Sequence, residues 1–158
     1  MKHFSVLVGI FLLMFAVTCP TMADQAEDAQ NLVEQAIAMM NGQGKVAALK
    51  AINDKNGPFV KGDLYVFALT MDNVMVGHPH EHSLLGINLT HIKDAANIPL
   101  FQRFKEVAET KGSGWVEYMW AKPGEKEPSP KKSFVKKVPG ENLYVGAGFY
   151  VNKISRAE

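Results

Sequence analysis

The stretch from Gly112 to Tyr150 constrains the fold most strongly, because it predicts three consecutive β-strands. The Pro/Gly-rich segment from Ala121 to Pro130 separates the first two, and a Pro139-Gly140 turn separates the second from the third. Connections of this kind favour antiparallel pairing, so we expect a meander. The predicted strands run from Gly114 to Trp120, from Lys131 to Val138 and from Asn142 to Tyr150.

Both faces of this predicted sheet are largely apolar. Side chains alternate along a strand, so Val116, Tyr118 and Trp120 share one face, while Trp115 and Met119 lie on the other. A sheet that is apolar on both faces needs cover on both, and the preceding part of the chain must supply it. The aromatic rings, with lysines and a serine nearby, fit either a small-molecule pocket or an ordinary core beside solvated lysines.

Three helices are predicted in the first two thirds of the chain. Apolar residues recur at helical spacing from Asp24, where a weak capping box with Glu27 begins, to the Asn41-Gly42 stop. A shorter helix is predicted from Val46 to Asn53. A third amphipathic helix has Pro99 at its start and Gly112 beyond its end.

Two further strands and one long loop complete the predicted order. Asp63 to Thr70 and Val74 to His78 are rich in β-branched and aromatic residues, which favours strands. The segment from Pro79 to Pro99 is polar and lacks periodicity. Long irregular segments in compact domains are often binding loops, so this segment is a candidate for one.

The first 23 residues predict a secretory signal peptide. Lys2 and His3 form a basic start, Phe4 to Val17 is an apolar run too short for a comfortable membrane span, and small residues precede Asp24. We therefore expect cleavage after Ala23, a single domain over residues 24–158, and a periplasmic or secreted location.

Composition excludes several classes of function. The only cysteine, Cys19, lies in the signal segment, where Thr18 disfavours a lipoprotein anchor, so the mature chain is expected to lack disulfides. Lys and Arg total 17 against 16 Asp and Glu, a balance that predicts no nucleic-acid partner. We find no second apolar run of spanning length, no hydrolase, metalloprotease or phosphate-loop motif, and no signal for a cofactor. A non-catalytic protein without a transmembrane segment in its mature form is expected.

Several spaced motifs, taken together, resemble the single Cache domain, type 2, over roughly residues 26 to 152. The resemblance implies an α+β, PAS-like fold: a central antiparallel sheet with a long N-terminal helix on one face, and a ligand pocket with a connecting helix on the other. It also implies an extracytoplasmic sensor that binds a small organic anion, such as a short carboxylate, and signals to a membrane-bound receptor or kinase. The matching segments are Asp63 to Phe67, Val76 to Pro79, Gly114 to Tyr118 with Trp120, Pro130-Lys131 with Ser133 to Val135, and Gly146 to Tyr150.

The resemblance places five residues of this chain in the ligand pocket: His78, Tyr118, Trp120, Lys131 and Ser133. Their chemistry agrees with an anionic ligand. A carboxylate leaves water only where an ammonium, an imidazole N–H or hydroxyls replace its hydration, and aromatic walls then select a short apolar tail. Each position also has a purely structural alternative, as sheet core, edge charge or loop cap.

Two features depart from the family pattern. Members are usually followed by a transmembrane helix and a signalling domain, whereas this sequence stops at Glu158, so we expect a stand-alone exported protein. The other feature is the cluster His78, His80 and His82, whose alternating positions could converge on Zn, Cu or Ni. A periplasmic metal-binding protein is therefore the alternative function, and an interaction module with a vestigial pocket is a third.

Overall fold

The computed structural model describes residues 21–151, so the predicted signal peptide up to Pro20, including Cys19, and the last seven residues lie outside it. Within the described part the chain forms three α-helices, one 3-10 helix and one antiparallel six-stranded sheet. The helices are α1 (Met22–Gln43), α2 (Lys45–Ile52) and α3 (Leu100–Thr110), with the 3-10 helix at His82–Leu84. The strands are β1 (Val60–Lys61), β2 (Leu64–Thr70), β3 (Met75–Gly77), β4 (Ser113–Ala121), β5 (Pro128–Lys137) and β6 (Leu143–Tyr150).

The predicted meander of β4, β5 and β6 is confirmed, and β2 extends it. The strand order is β1-β2-β6-β5-β4, with β3 paired to β2, and every pairing is antiparallel. Tyr118 on β4 lies opposite Lys131 on β5, and Ser133 lies opposite both Val116 on β4 and Gly148 on β6. The two-residue strand β1 was not predicted, because so short a segment carries no periodicity.

Helix α1 begins and ends at residues other than those predicted. Its N-cap is Thr21, whose hydroxyl accepts from the Asp24 N–H (3.2 Å) while the Asp24 carboxylate accepts from the Thr21 N–H (2.9 Å). The expected capping box of Asp24 with Glu27 is therefore wrong by three residues. The helix also continues through Asn41-Gly42 to Gln43, because the residue with a positive φ that ends it is Gly44 (φ 90°).

Each face of the sheet carries its own cluster of buried residues, as the apolar alternation requires. Helix α1 covers one face with its apolar stripe, and α2 packs beside it. Helix α3 covers the other face, where Leu100, Phe101 and Phe104 pack against Tyr65 and Phe67 of β2. The predicted α+β, PAS-like arrangement of a central antiparallel sheet with a long helix on one face and a connecting helix on the other is thus confirmed.

The loop between β3 and α3 is irregular, as predicted, apart from its 3-10 turn, and it is tied to the body of the protein at several points. Its Asn88 forms an isolated bridge with Val74. Asp94 links the loop to the sheet: one carboxylate oxygen accepts from the N–H groups of Ala96 (2.9 Å) and Ile98 (2.8 Å), and the other accepts from the N–H of Met119 (2.7 Å) on strand β4. The loop is therefore fastened to the outer edge of the sheet.

Candidate functional site

A small, mainly aromatic cavity lies between α3 and the sheet; we call it the α3-side pocket. Its volume is about 10 Å³, which is room for about one water molecule. The walls come from β2, β3, β4, α3 and the residue that follows β3. The lining residues are Tyr65, Phe67, Met75, His78, Leu100, Phe101, Phe104, Tyr118 and Trp120.

His78 lines this pocket and also caps the loop that follows it. Its N–H donates to Oδ1 of Asn53 (2.8 Å), while its ring Nδ1 accepts from the N–H groups of His80 (3.2 Å) and Glu81 (2.9 Å). Burial, assisted by the positive charge of Lys131, lowers the pKa of His78 to about 3. The imidazole is therefore neutral and carries its hydrogen on Nε2, which makes that atom a hydrogen-bond donor.

Lys131 is buried, with 1% of its surface exposed, and its ammonium lies against aromatic rings. Nζ is 3.6 Å from the ring centroid of Tyr65 and 4.9 Å from that of Tyr150, and within residues 21–151 it has no hydrogen-bonding partner. Burial holds the pKa of Lys131 well below its usual range, against a smaller opposing effect of Asp63. Lys131 does not line the cavity, but it contacts Tyr65, which is one of the lining residues.

Tyr118 and Ser133 form a buried hydroxyl pair, with 3.0 Å between the Tyr118 Oη and Ser133 Oγ atoms. Burial raises the pKa of Tyr118, so the phenol is neutral. The neighbouring strand makes room for this pair with a glycine: a Cβ at Gly148 would collide with Ser133 Oγ and with the Lys132 carbonyl oxygen. Gly148, the second glycine of the Gly-Ala-Gly sequence on β6, therefore leaves the space that Ser133 occupies on the pocket side.

Trp120 is half-buried and closes one end of the pocket. Its ring centroid lies 6.1 Å from that of Phe101, 6.4 Å from that of Tyr118 and 6.5 Å from that of His78. It connects the helix side, the sheet side and the loop side of the cavity. The five residues predicted from the resemblance thus fall in one region: three line the cavity, and Lys131 and Ser133 each contact a residue that lines it.

The three histidines of the metal alternative do not converge in the structure. Nδ1 of His78 is occupied by two backbone N–H groups, and the rings of His78 and His80 are 6.4 Å apart between centroids. His82 is exposed, with its Nε2 2.9 Å from the carbonyl oxygen of Asn53. Across residues 21–151 no group of three His, Cys, Asp or Glu side chains is placed to hold a metal ion.

The prediction of site residues missed much of the pocket wall. Tyr65 and Phe67 could have been found from alternation along β2, and Phe101 and Phe104 from helical spacing in α3, since both patterns mark one face. His80 gave no such signal. Its ring packs edge-on against Tyr65 at 5.0 Å, and burial, assisted by the positive charge of Lys131, lowers its pKa.

A sequence model of the Cache domain matches residues 21–157, which is most of the chain. This chain belongs to the Cache domain family. Among solved Cache-like structures, one described as the periplasmic sensor domain of a chemotaxis protein is 34% identical, with a TM-score of 0.67 over 80% of this chain and 90% of that one. Another, described as showing carboxylic acid recognition by a Cache chemosensory domain, is 27% identical, with a TM-score of 0.70 over 84% of this chain and all of that one.

A curated relative of this Cache domain is the methyl-accepting chemotaxis protein McpP of Pseudomonas putida. It is 28% identical over 92 residues, which are 58% of this chain but only 17% of that protein. The likeness therefore covers a small part of the relative's length. In the described part of the present chain, no helix has the length and apolar character needed to cross a membrane.

Proposed function

We propose that this Cache domain binds a short carboxylate in the α3-side pocket and acts as a non-catalytic sensor. The observation that carries the proposal is the buried side-chain nitrogen of Lys131, which has no hydrogen-bonding partner within residues 21–151. A buried cation without an ion-pair or hydrogen-bonding partner is costly, and an anionic ligand would supply the missing partner. The structural relative described as recognising carboxylic acids supports the same chemical class.

The groups around the cavity fit the rest of such a ligand. The Nε2–H of His78 and the hydroxyl of Tyr118 offer neutral donors, so the carboxylate oxygens need not all face one cation. Phe101, Phe104 and Trp120 present apolar surface to the carbon tail. A cavity of about 10 Å³ favours the smallest carboxylates, and even these require the walls to move apart.

The direct test is calorimetric titration of the protein with acetate and propionate, with acetamide as the neutral control. Lys131→Met should weaken carboxylate binding about tenfold to a hundredfold, because a charge-assisted hydrogen bond contributes about 1.5 to 3 kcal/mol. Tyr118→Phe keeps the ring and removes one neutral donor, so the loss should be smaller, on the order of 1 kcal/mol. Trp120 and Ser133 are proposed as supporting contacts.

The matched control is Lys137→Met, on the same strand but exposed. Lys136 is a poorer control, because its Nζ pairs with the Glu34 carboxylate on α1 (2.6 Å). Equal affinities for Lys131→Met, Lys137→Met and the unmodified protein would place the binding site elsewhere. Failure of every short carboxylate to bind would remove the proposed ligand class.

We also propose export with cleavage after Ala23, a periplasmic or secreted location, and transfer of the ligand-bound signal to a membrane-bound receptor or kinase. Support comes from the basic and apolar pattern at the N-terminus and from the similarity to a periplasmic sensor domain. Intact-mass measurement of the exported protein decides the cleavage site. A mass that includes Met1, or a lipid on Cys19, would contradict it.

A further inference from the structure

Two side-chain nitrogens are buried without a hydrogen-bonding partner in residues 21–151, and both contact the same ring. They are Nζ of Lys131 and Nε2 of His80. Nζ lies 3.6 Å from the Tyr65 ring centroid, and the His80 ring meets the Tyr65 ring nearly perpendicularly at 5.0 Å between centroids. Buried polar atoms are nearly always paired, so two orphaned nitrogens around one ring call for a common explanation.

The position of His80 is fixed by the backbone on either side of it. Its N–H donates to Nδ1 of His78, and its ring reaches Tyr65 from the loop after β3, whereas Lys131 reaches Tyr65 from strand β5. His82, two residues further on, is exposed, and its Nε2 lies against the Asn53 carbonyl oxygen. His80 therefore differs from His82 in two ways: its ring packs against Tyr65, and its Nε2 is buried without a hydrogen-bonding partner among the described residues.

The chemistry of the two nitrogens narrows what could satisfy both. An ammonium is only a donor, and an imidazole in its Nε2–H tautomer is a donor at that nitrogen, so one acceptor satisfies both nitrogens. A metal cation accepts no hydrogen bond, so it cannot be that partner. A carboxylate has two oxygens and about four acceptor positions, enough for donors that approach from two directions.

We propose that His80 is a ligand-binding residue, whose Nε2–H binds the same carboxylate as Nζ of Lys131, the loop and the sheet each supplying one donor. This inference rests on the proposed function and adds to it a second anchor from outside the five residues assigned by the family resemblance. It predicts that the affinity for carboxylates depends on the loop after β3 as well as on strand β5.

The test is titration of the full chain with acetate and propionate after replacement of His80. His80→Phe keeps an aromatic ring against Tyr65 and removes the nitrogen, so affinity should fall about tenfold. His80→Gln retains a donor and should lose less. His82→Phe, the matched control two residues away, should leave affinity unchanged, and acetamide should bind weakly to every variant.

A readout on the unmodified protein guards against a variant that fails to fold. The Nε2 resonance of His80 in histidine side-chain ¹⁵N NMR should shift on addition of acetate, while that of His82 stays in place. Full affinity in His80→Phe, together with weakened binding in Lys131→Met, would overturn the role of His80 and leave the proposed function standing. An unmodified protein that binds neither acetate nor propionate would overturn both.

Discussion

The two faces of the sheet are covered by helices, but the chemistry beneath the two helices differs. Under α1 the buried side chains are apolar, such as Leu32, Val33, Val66 and Val145. Under α3 the buried set is rich in phenols. All four buried polar or charged residues of the described chain (Asn73, His78, Lys131 and Ser133) contact residues of that face. The comparison separates a face that is purely apolar from one that carries the polar groups of the proposed ligand site.

The difference teaches how one sheet serves both purposes. Apolar burial under α1 is favourable at every position, roughly 25 cal/mol for each Å² removed from water. Under α3, part of that gain is offset by polar groups whose partners are incomplete, above all Lys131. Proteins commonly concentrate such locally unfavourable choices at functional sites. A change on the α1 face should therefore alter stability, and a change on the α3 face should alter binding.

The largest expected change in the free energy of unfolding comes from a substitution on the α1 face. Leu32 is 1% exposed in the helix–sheet interface, so Leu32→Ala should lower the free energy of unfolding by about 2 to 5 kcal/mol. Carboxylate affinity of the folded protein should be unchanged, because Leu32 is on the opposite side of the sheet from the pocket. Urea denaturation and calorimetry measure the two quantities. If Leu32→Ala weakened carboxylate binding without lowering the free energy of unfolding, the proposed difference between the two faces would be wrong.

A substitution on the α3 face should raise the free energy of unfolding, by a smaller amount. Lys131→Met removes a buried amine whose protonated form is disfavoured by burial, so it should raise the free energy of unfolding at pH 7. The pKa of Lys131 is lowered by folding. Between that lowered pKa and about 10.4 the unfolded chain therefore binds more protons, and the stability of the unmodified protein rises with pH. The stability advantage of Lys131→Met should shrink through this alkaline window.

Ionisation of tyrosines also changes the stability of the protein with pH. It does so in both the unmodified protein and Lys131→Met, so the difference between the two is not affected. Burial raises the pKa of Tyr150 to about 12, so above about pH 10 the folded state retains a proton that the unfolded chain releases, and stability falls. Both proteins share this loss. The difference in their urea midpoints, measured from pH 7 to 10, isolates the lysine, with Lys137→Met as the exposed control. A difference that is constant with pH would mean that Lys131 is not desolvated.

Strand pairing could be predicted from the sequence, because alternation and turn residues report on local geometry. The region shared by Tyr118, Lys131 and Ser133 followed from the family resemblance and a two-strand register. Two contacts could not be predicted: the packing of His80 against Tyr65, and the hydrogen bond that the Met119 N–H donates to the Asp94 carboxylate. Both join an aperiodic loop to the sheet, and the choice of partner depends on tertiary packing that no spacing along the chain encodes.

The size of the α3-side pocket also has a kinetic consequence. The pocket has room for about one water molecule, so acetate, as the proposed ligand, would enter only conformations in which the walls have separated. The apparent dissociation constant is then the intrinsic one divided by the fraction of time spent open. At high acetate concentration the observed rate of association should reach a plateau at the opening rate instead of rising without limit.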